Sequence, residues 1–451
     1  MGRIVIIGAG RSGLAAAAHF AREGADVVLN DRCLEPDPAV LDELAILGVP
    51  AVWGGHPLAL LDECMEVVLS PGVPPGLPFV QEAHRRGISV VGELELAHRI
   101  LRARADGSMV LAVTGTNGKS TTTDLLAHLL KQSGLAAVAC GNLGTPLLAA
   151  QASAAPGTRF ALECSSYQLE TIRHFHAEAA VLLNLTPDHL ARHGSMEAYL
   201  DAKLRIFQCQ TPQDLRLTPA SDLTFDAFAP GHGRSARFGW GSPQSNGAWC
   251  DEEGTLWLVD AEGMGERLLH RNELKIPGDH NVENALAAAV LARHGGASST
   301  GIREGLRTYP GLAHRLAFAG EKTGIKTYND SKGTNVDATL TAIRALPGPL
   351  VLLLGGQDKG APYEPLRASL AGKLRHLIFL GEAIPLLERD LGDLPHTSIP
   401  SFDEAVWESL RIAQPGDQVL LSPACASFDQ FRNFEERGDR FEALVKEWMS
   451  R

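Results

Sequence analysis

The segment LAVTGTNGKSTTTDLLAHLL, residues 111–130, joins an apolar run to a loop of small residues and then to a helical pattern. Such a turn directs backbone N–H groups and a helix N-terminus at one place, which suits the phosphates of a nucleoside triphosphate. Lys119 can add a positive charge there and Ser120 an oxygen ligand for Mg²⁺. The loop departs from the G-x-x-x-x-G-K-[ST] pattern because only two residues separate Gly115 from Gly118. The alternative is a capped helix start without a ligand.

A second glycine-rich turn lies in IVIIGAGRSGLAAA, residues 4–17. In a dinucleotide-binding turn, Gly8 would make the tight bend, Gly10 would let a phosphate approach the backbone, and Gly13 would let the helix close on the strand. Asp31 ends the next apolar run, where an acid that binds ribose is expected. The same glycines suit any strand–turn–helix around a phosphate, so a nicotinamide dehydrogenase is one of several possibilities.

Acidic and imidazole side chains follow two further apolar runs of the second region. Glu163 ends RFALE, and Asp188 and His189 come just after AAVLLNL. Open α/β sheets bind ligands at the carboxyl ends of their strands, so these groups could converge on the phosphates. Taken singly, Glu163 could also cap a turn and His189 could be an ordinary surface imidazole.

The elements that must position these residues alternate between short β-branched runs and helical patterns. The prediction is an α/β protein of three domains. A Rossmann-like N-terminal domain covers 1–105, a P-loop ATPase-like central domain covers 106–310, and a Rossmann-like C-terminal domain covers 311–451. Between about 210 and 276, Gly, Ser, Trp and short alternating stretches predict a small antiparallel β insertion in the central domain.

Bulk composition excludes several classes of function. The 451 residues are 45% hydrophobic and carry a net charge of −12, which argues against a nucleic-acid or anionic-membrane surface. No apolar stretch approaches the length of a membrane span, and seven scattered cysteines without a C-x-x-C pair suggest reduced thiols. We therefore expect a cytoplasmic protein that is not inserted in a membrane.

The order of the motifs resembles the Mur ligase superfamily over essentially the whole chain. The matching stretches are TGTNGKST, GNLG, LECSSYQLE, LTPDHLARHG, DAKLRIF, GDHNVENALAA, LAHRL and YNDSKGTN. A further stretch, LLSPACASFDQFRNFEERGDRF at 420–441, resembles the D-glutamate-adding branch of that superfamily.

This resemblance implies a reaction that needs ATP and two Mg²⁺ ions. ATP would phosphorylate the alanyl carboxylate of UDP-N-acetylmuramoyl-L-alanine, and the amine of D-glutamate would then attack the acyl phosphate. The implied catalytic residues are Lys119, Asn142, His189 and Lys203. The implied metal ligands are Ser120, Glu163, His189 and Lys203, the last as an anionic carbamate, whereas the residue type alone would place Lys203 on a solvated helix face.

The resemblance also assigns binding residues to each substrate. For ATP they are Gly115, Thr116, Asn117, Gly118, Lys119, Ser120, Thr121, Asn281, Asn284, Arg315, Asp330 and Lys332. For the UDP-sugar they are Gly10, Arg11, Ser12, Gly13, Asp31, Arg32, Ser70, Pro71, Gly72 and Asn142. For D-glutamate they are Thr334, Lys359, Ser427 and the backbone at Phe434. Asn281 could instead be a plain helix cap, and the charged residues could be ordinary exposed side chains.

Three other readings stay open at this point. A dehydrogenase would need a nicotinamide site, and a P-loop ATPase would need no third domain with substrate motifs. Another ligase of the superfamily, such as one that extends folate or a glutamate ligase of different stereospecificity, would differ in its first or third domain. With three substrates on three domains, we expect hinges near 105 and 310, and we expect a monomer.

Overall fold

The computed structural model describes residues 2–242 and 246–451. The chain divides into two compact units. The large unit runs up to Glu273 and includes Val282–Arg307, and the C-terminal unit consists of Leu274–Asn281 and Thr308–Arg451. Three sheets, two in the large unit and one in the C-terminal unit, organise the described residues. The predicted α/β class is confirmed.

The first sheet is wholly parallel, with strand order β3-β2-β1-β4-β5. Its strands are β1 (Arg3–Ile7), β2 (Val27–Asp31), β3 (Ala51–Trp53), β4 (Cys64–Leu69) and β5 (Ser89–Gly92). The helices of this part are α1 (Arg11–Arg22), α2 (Pro38–Leu47), α3 (Pro78–Arg85) and α4 (Glu93–Arg104). Near-continuous β-branched runs form these strands because a parallel sheet is covered on both faces. The order reverses at β1, so a ligand crevice is expected beside its carboxyl end.

The second sheet has nine strands in the order β14-β13-β12-β11-β10-β9-β6-β8-β7. Its strands are β6 (Met109–Thr114), β7 (Ala137–Gly141), β8 (Arg159–Glu163), β9 (Ala179–Leu182), β10 (Leu215–Pro219), β11 (Arg234–Trp240), β12 (Gly247–Cys250), β13 (Thr255–Val259) and β14 (Gly265–His270). The helices between and after them are α5 (Lys119–Gln132), α6 (Leu147–Ala152), α7 (Ser166–Leu169), α8 (Leu190–His193), α9 (Met196–Leu204), α10 (Thr224–Phe228), α11 (Asp279–His294) and α12 (Ser299–Thr308). β6, β8 and β9 end side by side, which gathers the residues that follow them.

The predicted β insertion differs from expectation in one respect. It does not form a separate small sheet, because β10 and β11 pair in parallel and continue the sheet outward from β9. Antiparallel pairing is confined to β12, β13 and β14. Short alternating stretches predict strands, but they carry no information on the direction in which a strand pairs.

Helix α4 bonds to elements of the second sheet although the predicted boundary at 105 places it in the first domain. The Glu95 carboxylate accepts hydrogen bonds of 2.9–3.1 Å from the backbone N–H groups of residues 173–175. Glu93 accepts one of 2.9 Å from the N–H of Leu148 at the start of α6. A Cβ on Gly92, just before α4, would lie 2.1 Å from the hydroxyl of Thr171. The two sheets of the large unit therefore share a closely packed polar seam, formed by Gly92, Glu93 and Glu95 against residues 148 and 171–175.

The C-terminal unit has a six-stranded sheet in the order β15-β16-β20-β17-β18-β19, parallel except for the β15–β16 hairpin. Its strands are β15 (Ala317–Lys322), β16 (Ile325–Asn329), β17 (Leu350–Gly355), β18 (Leu374–Leu380), β19 (His396–Ser398) and β20 (Gln418–Leu421). Its other helices are α13 (Val336–Ala345), α14 (Leu366–Leu370), α15 (Ile384–Leu391), α16 (Phe402–Ile412) and α17 (Phe434–Ser450). Among the described residues, no helix is long and apolar enough to cross a bilayer.

Candidate active site

Each of the three glycines in the turn after β1 has a different structural role. Gly8 has φ +100°, which favours glycine, and makes the bend. A Cβ on Gly13 would lie 1.9 Å from the carbonyl oxygen of Gly8, so only glycine lets α1 pack this close. A Cβ on Gly10 would meet nothing within 4 Å, which leaves open space for a ligand. The turn is closed by Ser70, whose hydroxyl donates to the Gly8 carbonyl at 2.9 Å.

A cavity of about 590 Å³ lies beside this turn. It is lined by nine of the ten residues predicted to bind the UDP-sugar, namely Gly10, Arg11, Ser12, Asp31, Arg32, Ser70, Pro71, Gly72 and Asn142. The tenth, Gly13, is not among the lining residues and packs α1 against the Gly8 carbonyl. The remaining lining residues are Gly8, which the sequence placed at the bend of the turn, and eight that it did not predict: His56, Val73, Pro74, Leu77, Gly141, Gly144, Pro146 and Gln168. Residues from both sheets of the large unit thus enclose one cavity.

Asp31 holds the backbone around this cavity. One carboxylate oxygen accepts from the N–H of Ala9 at 2.7 Å and the other from the N–H of Cys33 at 2.8 Å. Behind it, Oδ1 of the Asn30 side chain accepts a hydrogen bond from Nδ1 of His56 at 2.6 Å. Burial lowers the pKa of His56, so a neutral imidazole lines the cavity near neutral pH. The acid predicted to contact ribose therefore also shapes the glycine-rich turn.

The loop of residues 115–118, which the sequence predicts to bind the ATP phosphates and which we call the phosphate loop, lies between β6 and α5. Gly115 and Gly118 have φ +153° and +81°. The Lys119 ammonium donates to the carbonyls of Gly115 at 2.9 Å and Thr116 at 2.7 Å, which places it over the loop. A Cβ on Gly118 would lie 2.3 Å from Oδ1 of Asn284, so α11 packs directly against the loop.

Lys203 is buried beside the phosphate loop, contrary to the surface position that its residue type suggests. Its side chain is on α9, is only 1% exposed and donates to the Gly115 carbonyl at 2.7 Å. The ammonium also lies 4.6 Å from the ring centre of Tyr199. Burial, and then the charge of Lys119, lower the pKa of Lys203 to about 7. A neutral amine is therefore well populated at this position near neutral pH.

Glu163 presents a buried carboxylate at the end of β8, next to the strand that leads into the loop. The residue is 2% exposed, and Oε1 accepts from the side-chain amide of Asn142 at 2.7 Å. Its other oxygen, Oε2, is buried without a hydrogen-bond partner. Such an oxygen is costly unless something pairs with it, which fits a cation ligand. Ser120, also predicted as a ligand, is buried at the start of α5.

His189, the remaining predicted metal ligand, has a half-exposed side chain and a left-handed backbone with φ +53°. Its Nδ1 lies 3.1 Å from the hydroxyl of Tyr167, and its Nε2 lies 3.4 Å from Asp188. Over the described residues, no group of three or more His, Cys, Asp or Glu side chains is arranged to hold a metal. The predicted set includes only two residues of these types, so it depends on Ser120 and on a modified Lys203.

In the C-terminal unit, the structure brings the predicted D-glutamate residues to neighbouring loops. The Lys359 ammonium donates to the Thr334 hydroxyl at 3.2 Å. Ser427 is buried in the loop after β20, and Phe434 begins α17. The carbonyl of Phe434 accepts from the hydroxyl of Ser331, three residues before Thr334 in sequence, at 2.9 Å.

Arg437, which the sequence did not predict, joins these loops. Its guanidinium is fully buried and donates to the hydroxyl and carbonyl of Ser331 at 2.9 and 2.8 Å. It also donates to the carbonyls of Cys425 and Ala426 at 3.2–3.3 Å. Burial lowers the pKa of Arg437 to about 10, so the group stays charged at neutral pH. The buried cation thus fixes the loops that carry Thr334 and Ser427.

Asp330 and Lys332, two residues of this unit predicted to contact nucleotide, differ in their surroundings. Asp330 is buried, and its carboxylate accepts from Ser422 at 2.7 Å and from the N–H of Leu316 at 3.0 Å. Burial raises the pKa of Asp330 to about 7. Lys332 lies 4.8 Å from the ring centre of Phe434.

Two further predicted nucleotide residues of the C-terminal unit lie on other segments. The Asn281 side chain donates to the carbonyl of Pro277 at 2.7 Å, and Arg315 lies just before β15. Neither position identifies a ligand, so both roles stay predictions.

Comparison with known proteins assigns the family. The MurD-like N-terminal domain of Mur ligases matches residues 2–92, the Mur ligase middle domain matches 113–292, and the glutamate ligase domain of Mur ligases matches 314–425. Among solved structures, MurF from Acinetobacter baumannii superposes with a TM-score of 0.62 at 17% identity over 99% of this chain and 93% of that one. MurC from Thermotoga maritima gives 0.58 at 18% identity over the whole of both chains. These two structural similarities show a shared fold only.

These three domain matches cover most of the chain, and the chain therefore belongs to the Mur ligase family. Its relatives include proteins called UDP-N-acetylmuramoylalanine–D-glutamate ligase. The one from Anaeromyxobacter dehalogenans is 42% identical over 99% of this chain and 97% of its own length. The one from Alkaliphilus metalliredigens is 38% identical over 98% of this chain and 97% of its own.

Proposed function

We propose that this ligase joins D-glutamate to UDP-N-acetylmuramoyl-L-alanine at the expense of ATP, in the synthesis of peptidoglycan precursors. The observation that carries the proposal is the course of the 590 Å³ cavity. It runs from the glycine turn of the first sheet to Asn142, whose amide binds Glu163 beside the phosphate loop. A UDP-sugar with its diphosphate at the turn could therefore direct its acyl end toward the ATP phosphates.

The chemistry begins with the attack of an alanyl carboxylate oxygen on the γ-phosphorus of ATP. The bond to the bridging oxygen breaks, ADP leaves, and an acyl phosphate forms. The uncharged amine of D-glutamate then adds to the acyl carbon, and the tetrahedral intermediate collapses with loss of phosphate to give the amide. Two anions meet in the first step, so Lys119 and the loop N–H groups must offset their repulsion.

Mg²⁺ would further neutralise the phosphates when bound. The side chains proposed to hold two ions are Ser120, Glu163, His189 and Lys203. The unpartnered oxygen of Glu163 supports this assignment. For Lys203, the lowered pKa leaves the neutral amine that can add carbon dioxide and become an anionic carbamate.

The other substrate contacts are proposed on the resemblance. Asn281 and Asn284 would contact adenine, Asp330 the ribose, and Arg315 and Lys332 the phosphates. The carboxylates of D-glutamate would bind Thr334, Lys359, Ser427 and the backbone at Phe434. The Lys359–Thr334 hydrogen bond supports a common site for this last group.

The proposal also includes three domains, 1–105, 106–310 and 311–451, with hinges near 105 and 310. It further includes a cytoplasmic location and a monomeric state.

Phosphate release from ATP tests the proposal directly. We expect release, and formation of the dipeptidyl UDP-sugar, only when UDP-N-acetylmuramoyl-L-alanine and D-glutamate are both present. Release without either substrate would indicate an ATPase, and use of a folate acceptor would indicate another ligase of the family. Equal use of L-glutamate would contradict the assigned stereochemistry.

The carbamate has its own test. Labelled bicarbonate should give a carbamate resonance in the wild-type enzyme and none in Lys203→Ala. Turnover should fall when carbon dioxide is removed, and small anions should partly restore the Lys203→Ala variant. Full turnover of that variant without any added anion would contradict the assignment.

A further inference from the structure

The segment after β9 runs alongside the phosphate loop. The N–H of Leu183 donates to the carbonyl of Thr114 at 2.9 Å, and the N–H of Thr116 donates to the carbonyl of Asn184 at 3.1 Å. A Cβ on Gly115 would lie 3.0 Å from Cβ of Leu183, so the two backbones are in close contact. The parallel pairing of β6 with β9 thus continues past the ends of both strands.

One side chain of this segment, that of Asn184, bonds to two successive loop residues. Its Oδ1 accepts from the N–H of Thr116 at 3.1 Å and from the N–H of Asn117 at 2.9 Å. Its Nδ2 donates to the carbonyl of Asn117 at 3.2 Å. A carboxamide is a neutral side-chain group that provides both the acceptor and the donor which these three hydrogen bonds need.

The loop needs such a support because glycines flank it. Gly115 and Gly118 allow the positive φ angles of the turn, but glycine also allows many other conformations. On one side, the Nζ atoms of Lys119 and Lys203 both donate to the carbonyl of Gly115. The bonds to Asn184 fix the middle of the loop between the two glycines.

We propose that Asn184 is a positioning residue that holds the phosphate loop in the shape that binds ATP. The proposal rests on the proposed function in that the phosphates are those of ATP. Loss of the carboxamide should let residues 116 and 117 turn away from their present directions. The affinity for ATP should then fall, while D-glutamate, whose proposed residues lie in the C-terminal unit, should bind as before.

The test compares Asn184→Leu, Asn184→Asp and wild type as full-length enzymes. Asn184→Leu removes all three side-chain bonds. We expect faster hydrogen–deuterium exchange at the amide of Asn117 without nucleotide, whereas the amide of Thr116 keeps its bond to the backbone carbonyl of Asn184. The KM for ATP should rise on the order of ten-fold or more. The KM for D-glutamate should stay within about two-fold, because none of the lost bonds involves its proposed residues. The loss of a single hydrogen bond to D-glutamate would change its affinity by more than that.

Asn184→Asp keeps the acceptor but loses the donor. Because aspartate is close in shape to asparagine, this variant should fold even if Asn184→Leu does not. Its Thr116 and Asn117 amides should exchange as slowly as in wild type, while KM for ATP should rise because an oxygen now faces the Asn117 carbonyl. Asn272→Ala, at an exposed asparagine of the same unit, is the matched control and should leave exchange and both KM values unchanged.

Two results would overturn the proposal: unchanged exchange of the Asn117 amide in Asn184→Leu, or a wild-type KM for ATP in that variant. The exchange measurement needs no turnover. If the wild-type enzyme failed to consume ATP in the phosphate assay, the proposed function would fail, whereas the exchange data would still decide whether Asn184 supports the loop.

Discussion

Replacing Arg437 with methionine should destabilise the C-terminal unit and weaken binding of D-glutamate. The guanidinium makes five hydrogen bonds to carbonyl and hydroxyl oxygens of Ser331, Cys425 and Ala426. Methionine fills a similar volume but donates none of them. The loops of Thr334 and Ser427 should then lose their common support.

The size of the effect follows from the acceptors left behind. The Ala426 carbonyl also accepts from the N–H of Gln357 at 2.9 Å, so it keeps a partner. The carbonyls of Ser331 and Cys425 lose their bonds to the guanidinium, and a buried carbonyl without a donor costs about 1–3 kcal/mol, or about 2–6 kcal/mol for two. Removing a desolvated cation offsets part of this cost, so we expect the free energy of unfolding to fall by about 2–4 kcal/mol.

The assay is hydrogen exchange of the β17 amides in increasing urea, because β17 lies inside the sheet of this unit and reports its global unfolding. Arg440→Met is the matched control on the same helix. Arg440 forms a surface ion pair with Asp403, so its loss should cost less than about 1 kcal/mol. The KM for D-glutamate should rise in Arg437→Met and not in Arg440→Met. Equal urea dependence of the two variants would refute the reasoning.

Two further predictions concern the large unit. Gly13→Ala should cost about 1–3 kcal/mol of stability because its Cβ would lie 1.9 Å from the Gly8 carbonyl, whereas Gly10→Ala should unfold like wild type yet bind the UDP-sugar less tightly. Urea unfolding and KM measurements separate the two effects, and equal stability of both variants would contradict the packing argument. Burial raises the pKa of Glu93 from 4.5 to about 7, so its ionisation destabilises the fold increasingly as pH rises between these values. Glu93→Gln should therefore unfold like wild type at pH 4 and gain up to about 3 kcal/mol over wild type at pH 8, and an equal difference at both pH values would refute this.

The sequence predicted the parts of the site that are local in the chain. The spacing of Gly8, Gly10 and Gly13 predicted a tight strand–turn–helix, since Gly8 makes the bend and Gly13 packs against the Gly8 carbonyl within the same short stretch. The residues around Lys119 likewise define a strand–loop–helix in one short stretch. Both predictions concern shape, and neither motif states which phosphate compound is bound.

Residues that act through distant partners were not predicted. Asn184 bonds to residues 67–68 positions away, and Arg437 to Ser331 at 106 positions, so no local pattern marks either of them. The burial of Lys203 arises in the same way, because α9 faces the phosphate loop only after β6 and β9 have paired. Whether β10 and β11 pair in parallel or antiparallel depends on which strand edge they join. The residue types that favour a strand do not determine this.

The polar seam formed by Gly92, Glu93 and Glu95 decides how the chain can be cut into fragments. A fragment that ends at residue 105 would keep α4 but remove the three N–H groups that Glu95 accepts from and the one that Glu93 accepts from. It would also lose the wall of the cavity that residues 141–146 supply. A ligand-binding experiment on the first sheet alone would therefore test a damaged cavity, and the smallest fragment that retains the cavity must carry both sheets of the large unit.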